Sequence, residues 1–327
     1  MGLAVPEEVA RIASDIREMR VRGAGRIAKA AATALMVAAE RYPGSDAREF
    51  REYIRRVAEL LLKTRPTAVS LPNAVSYVVG PLLRAPHVGS VEEARRLVVE
   101  RASSFIRYAD EALERIAEIG SRLVRDGDVV LTHCNSLAVV SIIKRAAQRG
   151  KRVSVYATET RPLFQGHVTA RMLLEAGVDV TLIPDSSVRS LIRRVDKVIV
   201  GADAVAANGA VVNKIGTSLI ALIAREHGVD FYVATETYKF SPFTLSGEPV
   251  VIEERPPTEV VPQEFLDKHP RLRVLNPSFD VTPPGYITGI ITEVGVIPPS
   301  AALLVLEEIY GREGVREQAS VAVDEEA

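Results

Sequence analysis

Two side chains with the chemistry to move protons each follow a short apolar run: the lone cysteine, Cys134, and Asp203. Cys134 comes after Asp128–Leu131 in the segment Thr132-His133-Cys134-Asn135-Ser136. Ser136 is suited to cap a helix, and a helix start carries partial positive charge that favours a thiolate. Against this, a free cysteine is commonly a small buried apolar residue. His133 is not automatically its base, because neighbours on an extended chain point to opposite sides. It is either a second proton-transfer group or a hydrogen-bonded core residue. Asp203 closes Val198–Val200 through Gly201-Ala202. It is either a turn-capping carboxylate or a general acid and base.

Cationic and backbone anion ligands recur elsewhere in the chain. Arg22-Gly23-Ala24-Gly25 opens a helical pattern, and free N–H groups at a helix start with an adjacent arginine make a phosphate cradle; a plain interhelical turn is the alternative. Gly23, Gly25 and Ala28 match G-x-G-x-x-A, but that dinucleotide motif requires a preceding strand, and here a helix pattern precedes it. NAD binding is therefore rejected. Arg65, Lys214 and Lys239 are further candidate phosphate ligands. Asn208-Gly209 and Asn213-Lys214-Ile215-Gly216-Thr217 form a glycine-punctuated segment leading to a helix start, another source of N–H groups for an anion. No Walker sequence, H-E-x-x-H, G-x-S-x-G or paired-cysteine pattern occurs, so no nucleotide loop, metal or cofactor is implied.

The elements that must hold these groups fall into two regimes. Up to residue 123 the apolar spacing is helical, over 7–19, 26–41, 47–63 and 92–123. Thr64-Arg65-Pro66-Thr67 and Leu71-Pro72-Asn73 are expected to break helices between them. From residue 128 β-branched runs alternate with helical patterns. Strands are predicted at Asp128–Leu131, Val153–Tyr156, Val178–Ile183, Lys197–Val200 and Val229–Ala234, with helices near 136–149, 166–176, 186–194 and 216–227. Gly150, Gly177 and Gly228 stand where a left-handed helix cap precedes a strand. Such alternation means βαβ units and a parallel sheet, whose ligands bind beyond the carboxyl ends of the strands. The polar segments after four strands, including Thr235-Glu236-Thr237-Tyr238-Lys239, are thus brought to one edge. Two more strands are expected at Val250–Glu253 and Ile287–Thr292, then a helix over 301–310 and a frayed tail. The division expected is a helical domain over 1–123 and an α/β domain over 124–327 carrying most of the site.

Composition narrows the function classes. The 327 residues include 41 basic and 42 acidic side chains, a net charge of −1. That excludes nucleic-acid binding by bulk positive charge. No apolar run reaches the length of a membrane span, and Met1–Arg20 lacks the apolar block of a signal peptide. A single cysteine fits a reducing, cytoplasmic compartment. Five Asn and four Gln are few thermolabile amides, as in thermophilic proteins.

Taken in order, Thr132-His133-Cys134-Asn135-Ser136, Thr160-Arg161-Pro162 with Gln165-Gly166, Gly201-Ala202-Asp203 with Ala207-Asn208-Gly209, and Asn213-Lys214-Ile215-Gly216-Thr217 resemble one superfamily. It holds methylthioribose-1-phosphate isomerase, the regulatory subunits of initiation factor 2B, and archaeal ribose-1,5-bisphosphate isomerase. Arg22-Gly23-Ala24-Gly25, Thr64–Asn73, Glu236–Phe240 and Phe279-Asp280-Val281-Thr282-Pro283-Pro284 are most similar to the last branch. The resemblance covers nearly the whole chain. It implies a helical N-terminal domain followed by a Rossmann-like one, and conversion of α-D-ribose 1,5-bisphosphate to D-ribulose 1,5-bisphosphate in AMP breakdown feeding a RuBisCO. It maps the proton-transfer pair onto Cys134 and Asp203. The candidate substrate ligands are Arg22, Gly23, Ala24, Gly25, Arg65, Ser136, Asn213, Lys214 and Lys239. It further implies a small-molecule sugar bisphosphate as partner, no metal or redox cofactor, and a homo-oligomer, a dimer or trimer of dimers. A non-catalytic initiation factor 2B-like subunit and methylthioribose-1-phosphate isomerase remain the alternatives.

Overall fold

The structure, a computed structural model, describes residues 3–65, 68–85, 89–241 and 252–309. Its internal contacts divide the chain into two units, 1–112 and 113–327.

The first unit is helical: α1 (Glu7–Arg17), α2 (Ala24–Glu40), α3 (Ala47–Leu62), α4 (Ser70–Arg84) and the first part of α5 (Val91–Leu123). α1 buries Val9, Ala13 and Ile16 along one stripe, the spacing of a single helix face. Asp46 starts α3 by accepting the N–H groups of Arg48 and Glu49, both at 2.8 Å. α2 packs chiefly against α4, and its small buried side chains, Ala28, Ala31 and Ala32 among them, allow a close approach. α4 corrects the sequence reading, which took Leu71-Pro72-Asn73 as a break. Pro72 instead lies in the first turn of α4, where its missing N–H has no intrahelical partner to lose. Pro66 and Thr67 lie outside the described residues.

The second unit alternates as expected. β1 (Val129–Thr132), α6 (Leu137–Gln148), β2 (Ser154–Thr158), α7 (Gln165–Leu174) and β3 (Asp179–Ile183) come first. The short α8 (Val188–Leu191) and β4 (Lys197–Val200) follow. Next are β5 (Ala204–Ala206), β6 (Val211–Lys214), α9 (Thr217–His227), β7 (Asp230–Ala234), β8 (Phe240–Ser241) and α10 (Gln263–Lys268). β9 (Phe279–Thr282), β10 (Gly289–Thr292), β11 (Gly295–Ile297) and a helix over 302–309 complete it. The main sheet runs β11-β10-β7-β4-β1-β2-β3, parallel throughout except for the antiparallel β10–β11 pair. Counted in chain order, its parallel strands follow 3-2-1-4-5-6, the order of doubly wound folds. β4 and β10 are buried along their whole length, as strands covered on both faces must be. One cluster includes Ile142, Ile143, Val155 and Ile199; a second includes Val198, Ile220, Phe231 and Ile290. Gly150, Gly177 and Gly228 adopt the left-handed conformation expected of them.

Three expectations change. The stretch 186–194 is not one helix but α8 between two 3-10 turns. Val250 and Val251 lie outside the described residues, and Glu254 makes only an isolated bridge to Pro277. A second sheet, β8-β5-β6-β9, was not anticipated, because its strands are two to four residues long. Asn208-Gly209 belongs to its hairpin turn: Ala206 N–H donates to Ala210 C=O at 2.8 Å, and Gly209 takes φ +83°, the chemistry of a tight β-turn.

At the amino edge of the main sheet Lys197 Nζ lies 2.7 Å from Asp128 Oδ2, and both side chains are buried. Asp128 Oδ2 also accepts the Arg125 N–H at 2.7 Å. Asp128→Ala strands the ammonium in the interior and should cost about 3–5 kcal/mol of stability. Lys197→Met combined with Asp128→Asn should recover most of that loss in denaturant unfolding.

Candidate active site

Parallel pairing brings the ends of β1, β2, β3, β4 and β7 to one edge, and Cys134 and Asp203 follow β1 and β4. These strands flank the point where the order reverses, the crevice in which open α/β sheets bind ligands.

Cys134 holds an unusual backbone. Its φ is +65°, a left-handed conformation that costs a non-glycine residue about 1–3 kcal/mol. Both its peptide groups are held by buried threonines. Its N–H donates to Thr160 Oγ1 at 2.8 Å, and its carbonyl accepts from Thr169 Oγ1 at 2.8 Å. Thr160 is itself left-handed, at +60°. α7 starts close enough to do this because Gly166 sits against β2; a Cβ there would come within 1.7 Å of the Thr158 carbonyl oxygen. Gly201 lets the end of β4 close on Ser136 in the same way. Ser136 caps α6 by accepting the Val139 N–H at 3.4 Å.

The thiol itself differs from the expectation of a thiolate favoured by a helix start. Burial pushes Cys134 up to about 12; Lys214 pulls it down, Asp203 pushes it up, the Asn135 N–H pulls it down and Asp185 pushes it up. Desolvation outweighs the local N–H and the lysine, so the thiol is held protonated. The same balance shows that Cys134, Asp203, Lys214 and Asp185 share one electrostatic neighbourhood.

Both ring nitrogens of His133 are engaged by the protein itself. Its ring is buried, with Nε2 2.8 Å from the Ile215 carbonyl and Nδ1 2.6 Å from Thr158 Oγ1. A carbonyl only accepts, so Nε2 carries the proton and Nδ1 accepts from the threonine hydroxyl. Burial holds the imidazole below its ordinary value. Both nitrogens are occupied, tying the end of β1 to β2 and to the loop before α9.

The start of α9 also differs from the sequence reading. Its N–H groups do serve an anion, but the anion is the protein's own Asp280. That carboxylate, from β9, accepts from Gly216 at 2.8 Å and from Ser218 at 3.1 Å. Burial pushes Asp280 up to about 6, against the pull of those two N–H groups. Asn213 is buried and donates to Thr217 Oγ1 at 3.0 Å. Lys214 sits with its ammonium 4.8 Å from the centre of the Phe279 ring. Lys239 is buried, with Nζ 2.6 Å from Glu236 Oε2, and Tyr238 donates to Glu236 Oε1 at 3.2 Å. β5 pairs with β8 through Val205 and Phe240, which puts Asp203 and Lys239 just before the starts of neighbouring strands.

The remaining candidates belong to the first unit. Gly23 takes φ +88° before α2, which no side chain caps. Arg22 is exposed and its Nε donates to the Met19 carbonyl at 2.7 Å. Ala24 and Gly25 form the first turn of α2. Arg65 follows α3, and Ser70 at the start of α4 donates to the Ala24 carbonyl at 2.9 Å, which holds the start of α4 against the first turn of α2. The sequence reading missed Asp185 and Thr169. Asp185 follows a strand, as the other site residues do, and that rule alone marks it; Thr169 lies inside a helix and gives no local signal. Among the described residues no group of three or more His, Cys, Asp or Glu is placed to hold a metal ion, and no helix is long and apolar enough to cross a membrane.

Comparison with known proteins matches residues 20–299 to the model of the initiation factor 2 subunit family. The ribose 1,5-bisphosphate isomerase of Archaeoglobus fulgidus is 54% identical over 313 residues, 95% of this chain and 96% of that one. The protein of the same name from Methanocaldococcus jannaschii is 49% identical over 296 residues, 90% and 93% of the two chains. A solved structure titled as the translation initiation factor eIF-2B of Pyrococcus horikoshii OT3 superposes with a TM-score of 0.77 at 35% identity. It covers 91% of this chain and 99% of that one.

Because Cys134 is the only cysteine, its titration can be read directly by alkylation. With the thiol near 12, reaction with iodoacetamide at pH 8 should run roughly three orders of magnitude slower than for a free cysteine of ordinary pKa. The rate should keep rising well past pH 9. A plateau by pH 9 would show that Lys214 and the helix start prevail over burial.

Proposed function

The chain belongs to the initiation factor 2 subunit family, and from that premise we propose that it is the sugar-phosphate isomerase that converts α-D-ribose 1,5-bisphosphate to D-ribulose 1,5-bisphosphate. The observation that carries this reading is that Cys134 and Asp203 follow β1 and β4, the two strands that flank the switch point of the sheet, and lie in one electrostatic neighbourhood. Relatives named for that reaction, at up to 54% identity over nearly the whole chain, support an enzyme over a binding subunit.

The reaction moves one hydrogen from C2 to C1 and opens the furanose ring. Cys134 Sγ takes the C2 proton, the C1–C2 double bond forms, and the bond from C1 to the ring oxygen breaks. The leaving oxygen takes a proton from Asp203. Asp203 then removes the proton of the C2 hydroxyl as the carbonyl forms, and Cys134 returns its proton to C1. Base on carbon and acid on oxygen require a thiolate beside a carboxylic acid. A single proton passing from the Cys134 sulfur to an Asp203 oxygen creates that reactive form. Once Asp203 is neutral it no longer pushes the thiol up, and Lys214 supports the thiolate.

Two phosphates need two cationic grips. The candidate ligands are Arg22, the N–H groups of Gly23, Ala24 and Gly25, and Arg65 in the first unit, and Ser136, Asn213, Lys214 and Lys239 in the second. A phosphate on Lys239 shares that lysine with Glu236. The same reading takes the protein as a homo-oligomer, a dimer or trimer of dimers, in the cytoplasm, with AMP breakdown as its setting.

Assaying the purified chain with ribose 1,5-bisphosphate and with methylthioribose 1-phosphate should show turnover of the bisphosphate alone. Cys134→Ser and Asp203→Asn should each lower kcat by about 10²–10⁴-fold with substrate binding retained. Near-normal turnover in Cys134→Ser would discard the thiol mechanism. Tight binding of initiation factor 2 without turnover would instead favour the regulatory reading.

Arg22→Ala should weaken bisphosphate binding by roughly ten- to a hundredfold, since a charge-assisted hydrogen bond contributes about 1.5–3 kcal/mol. Lys239→Met should be made together with Glu236→Gln, so that no buried carboxylate is left unpaired, and should give a similar loss. Calorimetry showing unchanged affinity in both would remove these two residues from the site.

A further inference from the structure

Asp185 belongs to neither the phosphate grips nor the proton transfers, yet its carboxylate is fully engaged at the site. It follows β3 through Pro184. β2 and β3 pair Thr158 with Ile183, and the Glu159 N–H donates to the Ile183 carbonyl at 2.8 Å. Asp185 therefore falls opposite the turn that leaves β2. There Oδ1 accepts the Thr160 N–H at 2.8 Å and Oδ2 the Arg161 N–H at 2.7 Å. A carboxylate can take two adjacent N–H groups, one on each oxygen; an amide cannot, because one of its ends is a donor.

We propose that Asp185 is a positioning residue for Cys134: it clamps the turn at residues 160–161, fixes the Thr160 hydroxyl, and through the 2.8 Å bond from Cys134 N–H to Thr160 Oγ1 holds the left-handed turn that aims the thiol. The proposal deepens the reading of Cys134 as a proton carrier and rests on it. Left-handed residues persist only where their surroundings over-determine them, and here two of them, Thr160 and Cys134, are joined directly to each other. Thr160 Oγ1 also lies 3.3 Å from the Thr158 hydroxyl that holds His133, so the clamp stabilises one continuous network across the ends of β1, β2 and β3.

The charge of Asp185 works against its geometry. The thiol faces Asp203 and Asp185, which push it up, and Lys214 and the Asn135 N–H, which pull it down. His133, also within the field of Asp185, is held neutral by its burial. Removing the Asp185 charge should therefore ease ionisation of the thiol while spoiling its aim, and a general loosening of the fold does not produce that combination.

The test uses the full chain with Asp185→Asn and, separately, Thr160→Val. In Asp185→Asn the pH midpoint of Cys134 alkylation should fall while kcat drops by roughly a hundredfold at nearly constant KM, the size of effect expected from misplacing a reacting group by about 1 Å. Thr160→Val removes the acceptor but no charge. It should reproduce the loss of kcat without lowering the midpoint, and Thr160→Ser should restore kcat. Wild-type kcat in either Asp185→Asn or Thr160→Val overturns the proposal, as does a midpoint unchanged in Asp185→Asn. Full turnover by Cys134→Ser would refute the proton-carrier reading instead, and the alkylation midpoint, which needs no turnover, would still report on Asp185.

Discussion

Parallel pairing gives neighbouring strands the same direction, so every carboxyl end of the main sheet opens on one edge. The rest of the molecule's organisation depends on that constraint. The order reverses between β1 and β4, and the connections from these two strands leave toward opposite faces. The gap between them cannot be filled by a crossover helix, and the residues that follow the two strands, Cys134 and Asp203, border it. Buried apolar strands hold the edge rigid from behind. The main sheet thus supplies a fixed floor, and the loops above it need only be tied to one another.

They are tied by polar groups that satisfy each other. His133 bridges Thr158 and the Ile215 carbonyl. Thr160 and Thr169 hold the two peptide groups of Cys134. Asp185 closes the turn after β2, and Asp280 closes the start of α9. Leaving such groups unpaired in the interior would cost about 1–3 kcal/mol each, so each bond removes a penalty and fixes a loop. These side chains are occupied and do not compete for a substrate.

The electrostatics follow from the same burial. Desolvation keeps the thiol protonated at rest despite Lys214, and the carboxylates Asp203 and Asp185 reinforce it. Lys239 is restrained similarly by Glu236.

The alternation of strands and helices, the left-handed glycines at three helix ends, the parallel sheet and the strand ends that carry Cys134 and Asp203 were all legible in the sequence. Those features follow from local rules, period and capping, which need no knowledge of distant residues. What each polar residue does with its hydrogen bonds depends instead on partners that the fold brings in from elsewhere in the chain. The Asn208-Gly209 segment is a hairpin because β5 and β6 find partners in β8 and β9, strands too short to announce themselves. At the helix start of Thr217, the Gly216 and Ser218 N–H groups are taken by Asp280, far along the chain. His133 is held neutral by burial, and its two ring nitrogens are taken by partners from β2 and from the loop before α9. Cys134 is a thiol because burial, a property of the whole unit, outweighs the helix start beside it. Sequence spacing fixes which groups a strand presents at its end; the long-range contacts of the fold determine which of them remain uncommitted.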